Sequence, residues 1–476
     1  MSLEQWHRDA VYVGGRWQQP QDRRTVGVEN PATEEIVGRS AEAGGAEVDD
    51  AVAAATAAFP AWAAMGTAGR VAVLRRWLDV LRAQRELLVE TTIAEVGAPR
   101  TTAEESHVDT ALDVLEGYLT AAGEVAWEEE AGHSLVLREP IGVVGCITPW
   151  NYPLYQVLAK VGGALVAGCT VVLKPAEITP MSAYLLADAA SVVGLPAGVF
   201  NLVPGSGRVV GEALVTHPGV DMVSFTGSTG VGARVSGLAA PTVKRVALEL
   251  GGKSASVVLP DADLHTAVAG TVAAAMLNSG QTCSAWSRLL VPTDRLDEAV
   301  DVAVAAVERL VVGDPTATGT DMGPVVSAAQ RKTVLGFLSR AVEGGAVLAS
   351  GSPDRPAGLD RGHYVMPTVV TGLLPGAEIV REEVFGPVLT VQGYRDEADA
   401  VAMANATDYG LSGAVWSGSD EKALAIARRM RTGQVDINGA AFNPMAPFGG
   451  YRRSGNGREL GKWGIEEFLE TKSVQR

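Results

Sequence analysis

From residue 141 onward, short runs of β-branched and other apolar residues alternate with segments long enough to form helices. The first four runs are IGVVGCIT, TVVLKP, VFNLVPG and MVSFTG. Strands that are buried on both faces of a parallel sheet read as continuous apolar runs of this kind. Their alternation with helical segments predicts βαβ units. The pattern therefore restricts this part of the chain to the α/β class.

A second series of apolar runs begins near Gly251. It comprises SASVVL, RLLVP, VVTGL, VLTVQGY and GAVWSG. Because 476 residues are too many for one compact core, the two series predict two α/β domains that meet near residues 250–255. Ligand clefts commonly lie where domains meet, so we expect the chemistry at this junction.

The first third of the sequence predicts a small hairpin and three helices. Residues 11–18 predict a strand–turn–strand with two glycines in the turn. Residues 46–64 are rich in alanine and begin with acidic residues, as a helix N-terminus favours. The segments 70–96 and 103–123 each predict one long amphipathic helix.

Composition excludes several classes of protein. Apolar residues at 47% and charged residues at 20% are typical of a folded globular chain. A net charge of −16 argues against a nucleic-acid partner, which needs a basic face, and favours solubility. Three cysteines form no disulfide framework, which favours a reducing compartment. Without an apolar signal segment or a run of about 18 apolar residues, we expect a cytoplasmic protein with no membrane partner and no metal site.

Cys283, in the segment GQTCSA, is a candidate nucleophile. A thiol is strongly nucleophilic, and small neighbours leave room for a substrate carbon to approach it. A single cysteine is nevertheless more often a packing residue. Cys146 and Cys169, in apolar or Gly-rich surroundings, are expected to be buried packing residues.

Two polar residues are candidates to assist a nucleophile. Glu249, in LELGGKS, ends an apolar run, where burial would favour a general base, although it is equally suited to capping backbone amides. Asn151, in TPWNYP, lies between two prolines that restrict its loop. Its amide suits a developing oxyanion, whereas the default role of such an asparagine is to form a turn.

Three further segments suit a dinucleotide. FTGSTGVG follows a strand and opens a helix, so that its backbone and hydroxyl donors can face a pyrophosphate, although its spacing is not G-x-G-x-x-G. VVLKPAE ends a strand with two charges suited to ribose hydroxyls, or simply to solvent. EEVFGPV offers an acid and a ring for a nicotinamide riboside, or a loop acid and a core aromatic residue.

Taken together and in order, these segments resemble the aldehyde dehydrogenase superfamily. The resemblance runs from about Val11 to Val474 and rests on TPWNYP, KPAE, FTGSTG, LELGGKS, GQTCSA, EEVFGPV and PFGGYRRSGNGRELG. It implies a non-acylating enzyme of the hydrolytic type, in which a small-molecule aldehyde becomes a carboxylic acid through a thiohemiacetal and a thioester.

The resemblance implies roles for five catalytic residues. Cys283 is the nucleophile, and Glu249 activates water for hydrolysis of the thioester. Asn151 and the backbone amide of Cys283 form the oxyanion hole. Lys160 and Glu459 correspond to a pair that relays protons away from the base.

The resemblance also implies a cofactor site and a substrate pocket. The expected cofactor is NAD, with NADP as an alternative, because a carboxylate beside the ribose repels a 2′-phosphate. The implied cofactor contacts are Trp150, Lys174, Glu177, Gly227, Ser228, Gly232, Glu383 and Phe385. The implied substrate pocket comprises Tyr152, Gln156, Ala159, Thr282, Ser284, Phe442 and Phe448.

The pocket residues predict a medium-sized, uncharged or aromatic aldehyde. Betaine aldehyde dehydrogenases resemble this chain at Tyr152 but usually have a tryptophan where it has Ala159. Loss of that ring weakens a cation-binding cage and leaves room for a bulkier substrate. Arg452 and Arg453, which are close in sequence to these residues, leave open the alternative of a substrate that bears a carboxylate.

The implied fold is α/β, with a Rossmann-like cofactor-binding domain, a catalytic α/β domain and a small β extension for oligomerisation. The expected boundaries are 1–124 and 139–250 for the first, 251–440 for the second, and 125–138 and 455–476 for the extension, with 441–454 contributing to the pocket. A terminal strand at the edge of a sheet has unpaired backbone groups that can bind another copy of the chain, which predicts a homodimer or homotetramer.

Three alternatives remain open. A CoA-acylating semialdehyde dehydrogenase has the same fold, but Glu249 argues against it because a water-activating base would divert the thioester. A cysteine hydrolase of esters would need a histidine partner, which none of the six histidines obviously supplies. A catalytically silent structural or binding member of the fold would not need the complete set of catalytic residues.

Overall fold

The computed structural model describes residues 6–374 and 376–476. The first five residues, which belong to the expected domain 1–124 and to the segment where no signal sequence is expected, lie outside the described residues. So does Pro375, within the expected domain 251–440. Two runs of strands and helices follow one another along the chain, as the two series of apolar segments predict.

The strands are β1 His7–Arg8, β2 Val11–Val13, β3 Arg16–Gln18, β4 Thr25–Asn30, β5 Glu35–Ala41, β6 Glu128–Ala131, β7 Ser134–Pro140, β8 Val143–Ile147, β9 Thr170–Lys174, β10 Phe200–Leu202, β11 Met222–Gly227, β12 Arg245–Leu250, β13 Ala255–Val258, β14 Arg288–Pro292, β15 Val347–Ser350, β16 Thr368–Thr371, β17 Val388–Tyr394, β18 Gly413–Trp416, β19 Asp436–Ile437 and β20 Leu469–Gln475.

The α-helices are α1 Gly45–Ala64, α2 Thr67–Ala83, α3 Arg85–Val96, α4 Arg100–Thr102, α5 Thr110–Ala121, α6 Pro153–Ala167, α7 Met181–Val192, α8 Glu212–Thr216, α9 Thr229–Ala239, α10 Leu264–Met276, α11 Leu296–Glu308, α12 Ala328–Glu343, α13 Glu378–Arg381, α14 Glu397–Asn405, α15 Asp420–Ala427 and α16 Gly461–Glu466. Ala103–Asp109 and Gly207–Gly211 are π-helical.

The first large sheet has the strand order β12-β11-β8-β9-β10-β2-β3. Its strands from β12 to β10 are parallel, and the N-terminal hairpin β2–β3 extends it in the antiparallel sense. Every residue of β8 and β9 is buried, as continuous apolar strands require when helices cover both faces of a sheet. The carboxyl ends of β8, β9, β11 and β12 lie along one edge of this sheet, next to the candidate active site described below.

The second large sheet has the order β15-β16-β17-β14-β13-β18-β19 and is parallel except at β15. The chain changes sheet between Leu250, the end of β12, and Ala255, the start of β13. This change supports the boundary expected at 250–255, and we retain the division into a cofactor domain and a catalytic domain as a proposal.

A smaller antiparallel sheet joins the C-terminal strand to residues in the middle of the chain. Its order is β20-β7-β6, and Lys472 of β20 lies opposite Leu137 of β7. Every residue of β20 after Leu469 is exposed. A further three-stranded sheet, β1-β5-β4, covers the N-terminal part.

Two helix predictions need correction. The segment 70–96 forms two helices, α2 and α3, which are separated at Gln84 rather than continuous. The segment 103–123 is not α-helical from its start, because Ala103–Asp109 is a π-helix that passes into α5. A π-segment inserts extra residues into a turn and is frequent beside functional sites. It turns His107 toward the site described below.

The core consists of apolar side chains on both faces of the two large sheets. Cys146 and Cys169 are fully buried in it, and burial raises the pKa of each thiol to about 12. Both are therefore packing residues, as the sequence indicates. Among the described residues no single helix is both long and apolar enough to cross a membrane, and α1 and α2 reach that hydropathy only as a pair bent by 118°.

Candidate active site

The loop that carries Cys283 begins with an unusual run of left-handed residues. Asn278, Ser279 and Gly280 have φ angles of 53°, 57° and 71°. Two non-glycine residues in this region store strain that their surroundings must offset. The side chains do so by donating to backbone carbonyls, Asn278 Nδ2 to Asn151 at 2.9 Å and Ser279 Oγ to Gly323 at 2.8 Å.

Gln281 fixes the next part of the loop and brings Asn151 against it. The Gln281 side chain accepts from the amide of Val326 at 2.8 Å and donates to the carbonyl of Asn278 at 3.0 Å. Its own carbonyl accepts a hydrogen bond from Asn151 Nδ2 at 3.0 Å. A carboxamide nitrogen has two hydrogens, so Asn151 keeps one that can stabilise an oxyanion two residues further along the loop.

Cys283 is half-buried at the wall of a cavity. Burial raises the pKa of its thiol to about 12, the charges of Glu383, Glu249 and Glu459 raise it further, and a backbone hydrogen bond from Ser284 partly offsets them. At neutral pH the sulfur is therefore protonated, and nucleophilic attack requires a group that accepts the proton.

Glu249 is a candidate for this group. It lies near the end of β12, opposite Thr226 of β11, and is 3% exposed. Both its carboxyl oxygens are buried without a hydrogen-bond partner among the described residues. Burial, then the charge of Glu459, raises the pKa of Glu249 well above its usual range, and Lys160 lowers it. No amide in the described part of the chain donates to these oxygens, so the alternative that Glu249 caps backbone amides is wrong.

A glycine pair after Glu249 allows β12 to approach the cysteine loop. A Cβ atom on Gly252 would lie 2.8 Å from the carbonyl oxygen of Cys283, and one on Gly251 would overlap the carboxyl group of Glu383. Only glycine leaves room for these contacts, which hold the base and the thiol on neighbouring segments.

Lys160 and Glu459 form a buried ion pair behind this base. The Lys160 Nζ atom donates to Glu459 Oε1 at 2.6 Å. Backbone hydrogen bonds of 2.8 Å join Glu459 to Phe448 in both directions. Tyr118, which the sequence did not indicate, donates to the carbonyl of Ala159 at 2.6 Å and accepts from the amide of Leu460 at 2.9 Å, so it braces both sides of the pair.

The cavity at Cys283 has a volume of about 180 Å³. Its lining comprises Ser106, Thr110, Tyr152, Tyr155, Gln156, Leu277, Thr282, Cys283, Ser284, Phe442 and Phe448. Six of the seven expected substrate residues are in this set. The seventh, Ala159, is not: it follows Gln156 by about one turn of α6 and is fully buried in the core.

Aromatic side chains form one continuous wall of the cavity. The ring of Tyr155 lies edge-on to Tyr152 at 6.4 Å and to Phe442 at 6.2 Å, and Phe442 lies 6.4 Å from Phe448. The Tyr152 hydroxyl is 2.7 Å from Thr282 Oγ1, which ties this wall to the cysteine loop. Tyr155 was not predicted, although its spacing of three residues from Tyr152 in a helical segment signals a shared face.

His107 is a second residue that the sequence did not indicate. Its ring stacks on Tyr152 with centroids 4.3 Å apart and an angle of 25° between the ring planes. Burial lowers the pKa of His107 to about 3, although the side chain of Asn278 partly offsets this shift. The ring is therefore neutral at physiological pH and supports the position of Tyr152. No sequence pattern marks it, because the π-helix directs it.

A groove of about 840 Å³ lies at the carboxyl ends of the first sheet's strands. Glu177, Ser206, Gly207 and Arg208 line it, and Glu177 Oε1 accepts from the amide of Gly207 at 2.9 Å. The ammonium group of Lys174, on β9, is buried and donates to two carbonyls, and burial lowers its pKa to about 8. A carboxylate and free backbone at this edge suit the ribose of a dinucleotide.

The FTGSTG segment lies at the start of α9. Gly227 ends β11, and the exposed Ser228 is the N-cap of the helix without a side-chain capping bond. The helix N-terminus and this free hydroxyl can therefore face an anion. Gly232 instead permits close packing, since a Cβ there would lie 2.7 Å from Leu250 Cδ2.

The remaining expected cofactor residues are Trp150, Glu383 and Phe385. Trp150 and Phe385 meet edge to face with centroids 5.3 Å apart. Glu383 accepts from the amide of Gly252 at 3.1 Å, and burial raises its pKa to about 7. Glu383 thus lies beside the glycine pair that contacts the cysteine loop, and Trp150 and Phe385 lie against each other.

Comparison with known proteins identifies the family. The sequence model of the aldehyde dehydrogenase family matches residues 17–474. A 3-succinoylsemialdehyde-pyridine dehydrogenase from a Pseudomonas species is 48% identical over 471 residues, which are 97% of each chain. The chain therefore belongs to the aldehyde dehydrogenase family. This result confirms the resemblance seen in its motifs and the enzyme class that the resemblance implies.

Crystal structures show the same fold. A mutant of aldehyde dehydrogenase C from Pseudomonas syringae, in complex with NAD⁺ and octanal, is 44% identical with a TM-score of 0.97, covering 100% of this chain and 97% of that one. An aldehyde dehydrogenase from Mycobacterium tuberculosis, complexed with NAD⁺, is 41% identical with a TM-score of 0.96. The match covers 99% of this chain and 98% of that one. The predicted fold class is confirmed.

Proposed function

We propose that this chain oxidises an aldehyde to a carboxylic acid with NAD⁺, through a thioester on Cys283 that water hydrolyses. The observation that carries the proposal is the convergence of three groups on the loop that carries Cys283, which lines a largely apolar cavity. They are the thiol of Cys283, the amide of Asn151 and the buried, unpartnered carboxyl group of Glu249. A nucleophile, an oxyanion donor and a proton acceptor are what acyl chemistry on a cysteine requires.

In the first step the thiol proton of Cys283 passes to a base, for which Glu249 is the best placed. The sulfur forms a bond to the aldehyde carbon, and the carbonyl oxygen becomes an oxyanion that the free amide hydrogen of Asn151 stabilises. Collapse of this thiohemiacetal releases the hydrogen on carbon with its electron pair, which bound NAD⁺ accepts. The acyl group remains on the sulfur as a thioester.

In the second step Glu249 removes a proton from water, and the water oxygen bonds to the thioester carbon. The carbon–sulfur bond breaks, which returns the thiol of Cys283 and frees the acid. Lys160 and Glu459 lie behind Glu249, where their charges shift its pKa in opposite directions. We assign to this pair the removal of protons from the base.

The residues of the groove fit NAD⁺. Glu177 lines it beside Ser206 and Gly207, where a carboxylate accepts from a ribose hydroxyl and repels a 2′-phosphate. The NAD⁺ complexes of the Pseudomonas syringae and Mycobacterium tuberculosis enzymes support this choice. We therefore assign NAD as the cofactor, with weaker use of NADP.

The cavity fits a medium-sized, uncharged or aromatic aldehyde. Its lining contains aromatic and aliphatic side chains, and no lysine, arginine, aspartate or glutamate is in the described set. One relative is named for a pyridine semialdehyde, and one crystal structure contains octanal. Arg452 and Arg453 are not in this lining, which argues against a substrate that bears a carboxylate.

The CoA-acylating alternative is less well supported. It requires that water be kept from the thioester, whereas Glu249 is a buried base with free oxygens beside Cys283.

We further propose self-association as a homodimer or homotetramer. The exposed edge strand β20 supports this proposal, since unpaired edges favour the addition of a partner.

The decisive experiment is formation of NADH with a panel of aldehydes. Turnover should require NAD⁺, proceed without CoA, and disappear in Cys283→Ala. A folded Cys283→Ala protein that still binds NAD⁺ is the control for structural damage. Turnover that persists in this variant, or that needs CoA, would overturn the proposal.

A further inference from the structure

The ion pair of Lys160 and Glu459 joins two segments that are far apart in sequence. Lys160 belongs to α6, and Glu459 lies just before α16, 299 positions further along the chain. Proton transfer requires a donor and an acceptor within hydrogen-bond reach of each other. A pair that takes protons from Glu249 therefore needs a fixed distance between these two segments.

The hydroxyl group of Tyr118, on α5, is bonded to the residue next to each member of this pair. It donates to the carbonyl of Ala159 at 2.6 Å and accepts from the amide of Leu460 at 2.9 Å. Ala159 precedes Lys160, and Leu460 follows Glu459. One oxygen atom thus sets the distance between the two backbones that carry the ion pair.

The backbone of Leu460 is strained and needs support from its surroundings. Its φ and ψ angles are 72° and 153°, a region that residues other than glycine rarely adopt. Leu460 is fully buried, so water cannot replace the Tyr118 hydroxyl as the partner of its amide. When this hydroxyl is removed, we expect the segment to relax and Glu459 to move with it.

Three glycines make room for the Tyr118 ring. A Cβ atom on Gly162 would lie 2.9 Å from Cδ2 of the ring, and one on Gly163 would lie 3.2 Å from Cε1. A Cβ atom on Gly464, in α16, would lie 2.6 Å from the hydroxyl oxygen. The ring is therefore closely packed between α6 and α16, which fixes its hydroxyl between the two segments.

The Tyr118 hydroxyl does not carry the proton itself. Burial, then the charge of Glu459, raises the pKa of Tyr118 well above its usual range, so the group stays protonated. In the proposed function, Glu249 accepts the thiol proton in the first step and must lose it before it can remove a proton from water. That proton passes to the ion pair and then to solvent, which restores the Glu249 carboxylate.

On the basis of the proposed function, we propose that Tyr118 is a positioning residue for this proton release. Its hydroxyl holds Lys160 and Glu459 at the distance that lets them take the proton from Glu249. Tyr118 therefore acts on hydrolysis of the thioester and not on its formation.

Tyr118→Phe removes only the hydroxyl. Decay of the acyl-enzyme, measured by rapid quenching and mass spectrometry, should slow at least about tenfold, because small displacements of catalytic groups are costly. The first turnover of NADH, which precedes hydrolysis, should keep its rate. When hydrolysis limits turnover, kcat falls while kcat/KM for the aldehyde stays the same. A variant that had merely lost folded protein would lower both.

Tyr184→Phe is the matched control. Tyr184 is equally buried, and its hydroxyl accepts from the amide of Ala41, on β5, at 3.1 Å. Its rates of acyl-enzyme formation and decay should equal those of the wild type. Gly162→Ala is a second variant, which keeps the hydroxyl of Tyr118 but displaces its ring, and alanine is favoured over glycine in a helix. It should slow the decay in the same way.

Decay of the acyl-enzyme at the wild-type rate in a folded Tyr118→Phe protein, or equal slowing of both steps, would overturn the inference. If Tyr118→Phe does not fold, the same outcomes in Gly162→Ala decide. Absence of an acyl-enzyme in the wild-type protein with every aldehyde would instead overturn the proposed function.

Discussion

The Nζ atom of Lys160 lies 2.6 Å from Oε1 of Glu459, and the side chains are only 0% and 6% exposed. The pair joins α6 to the C-terminal segment across 299 positions of sequence. A buried ion pair is costly to break, because the remaining partner keeps an uncompensated charge away from water. The pair therefore fixes the wall behind Glu249.

We expect Lys160→Met to lower the free energy of unfolding by about 3–5 kcal/mol, since it leaves Glu459 buried and unpaired. Denaturant unfolding at neutral pH measures the loss. The control is Arg340→Met, which breaks a pair with Glu378 whose side chains are 51% and 47% exposed. Exposed pairs contribute about 0–1 kcal/mol. An equal effect of the two substitutions would contradict the structural role given to Lys160.

Replacement of the base should separate the two chemical steps. Glu249→Gln keeps the shape of the side chain but cannot accept a proton, so hydrolysis of the thioester should slow by about 10²–10⁴-fold. At high pH the thiol of Cys283 ionises without Glu249, so the first turnover still produces NADH, and rapid mixing should show a burst followed by a slow steady state. The acyl-enzyme should be visible by mass spectrometry.

The raised pKa of Glu249 gives this step a direction with pH. Below its pKa the carboxyl group is protonated and cannot accept a proton, so steady-state turnover of the wild type should increase as pH rises. Glu249→Gln should not show this increase. Steady-state turnover unaffected by the substitution would show that water is activated elsewhere.

The thiol of Cys283 should become reactive only at high pH. With its pKa raised to about 12, the thiolate fraction in the free protein increases about tenfold for each pH unit across the neutral and mildly alkaline range. The rate of alkylation by iodoacetamide, followed by mass spectrometry, should increase accordingly. Cys146 and Cys169 should remain unmodified because they are fully buried. A rate independent of pH near neutrality would indicate a preformed thiolate.

Most strands of the two large sheets could be predicted from sequence because they are short apolar runs, whereas β15 and β19, at the edges of the second sheet, were not predicted. The break between α2 and α3 could not be predicted. Leu81 and Leu88 are both fully buried and are seven residues apart, the spacing of two helical turns, so the apolar periodicity continues through Gln84. The π-helix that contains His107 is likewise invisible to a pattern based on the α-helical repeat.

The site was only partly accessible to sequence reasoning. Motif order indicated Cys283 and Glu249, but local pattern alone left the role of Glu249 open between a base and a cap. Its unpartnered oxygens argue against the cap and are consistent with the base. Ala159 shows the remaining difficulty, because α6 is buried on all sides and its sequence does not reveal how far along the helix the cavity extends.

Substitution of Glu177 should relax the choice of cofactor. Glu177→Ser removes the carboxylate that repels a 2′-phosphate, and the neighbouring Arg208 also lines the groove. We expect kcat/KM with NADP to increase and that with NAD to decrease, each by about tenfold, the effect of 1.4 kcal/mol in the barrier. Initial rates at saturating aldehyde measure both. Unchanged discrimination would place the adenosine ribose elsewhere.

Glu95 should make the stability of the protein depend on pH. Its carboxyl group is 1% exposed at the N-terminus of α7, where it accepts from the amide of Met181 at 2.8 Å and the hydroxyl of Ser182 at 2.9 Å. Burial outweighs these hydrogen bonds and raises its pKa from 4.5 to about 7. The folded protein thus binds this proton more tightly than the unfolded chain does. The resulting stability is complete below about pH 4.5 and is lost as pH rises through about 7.

In Glu95→Gln this titration is absent. Between about pH 4.5 and a pH above 7, urea unfolding should therefore show that the free energy of unfolding of the wild type falls by about 3 kcal/mol relative to that of the variant. Each pKa unit corresponds to about 1.4 kcal/mol. The difference between the two proteins cancels the titration of all other groups. Glu343→Gln, at an exposed position on α12, is the control and should follow the wild type. Parallel stability curves for the wild type and Glu95→Gln would show that Glu95 does not hold its proton in the folded state, and its hydrogen bonds to Met181 and Ser182 would then outweigh the cost of burying its charge.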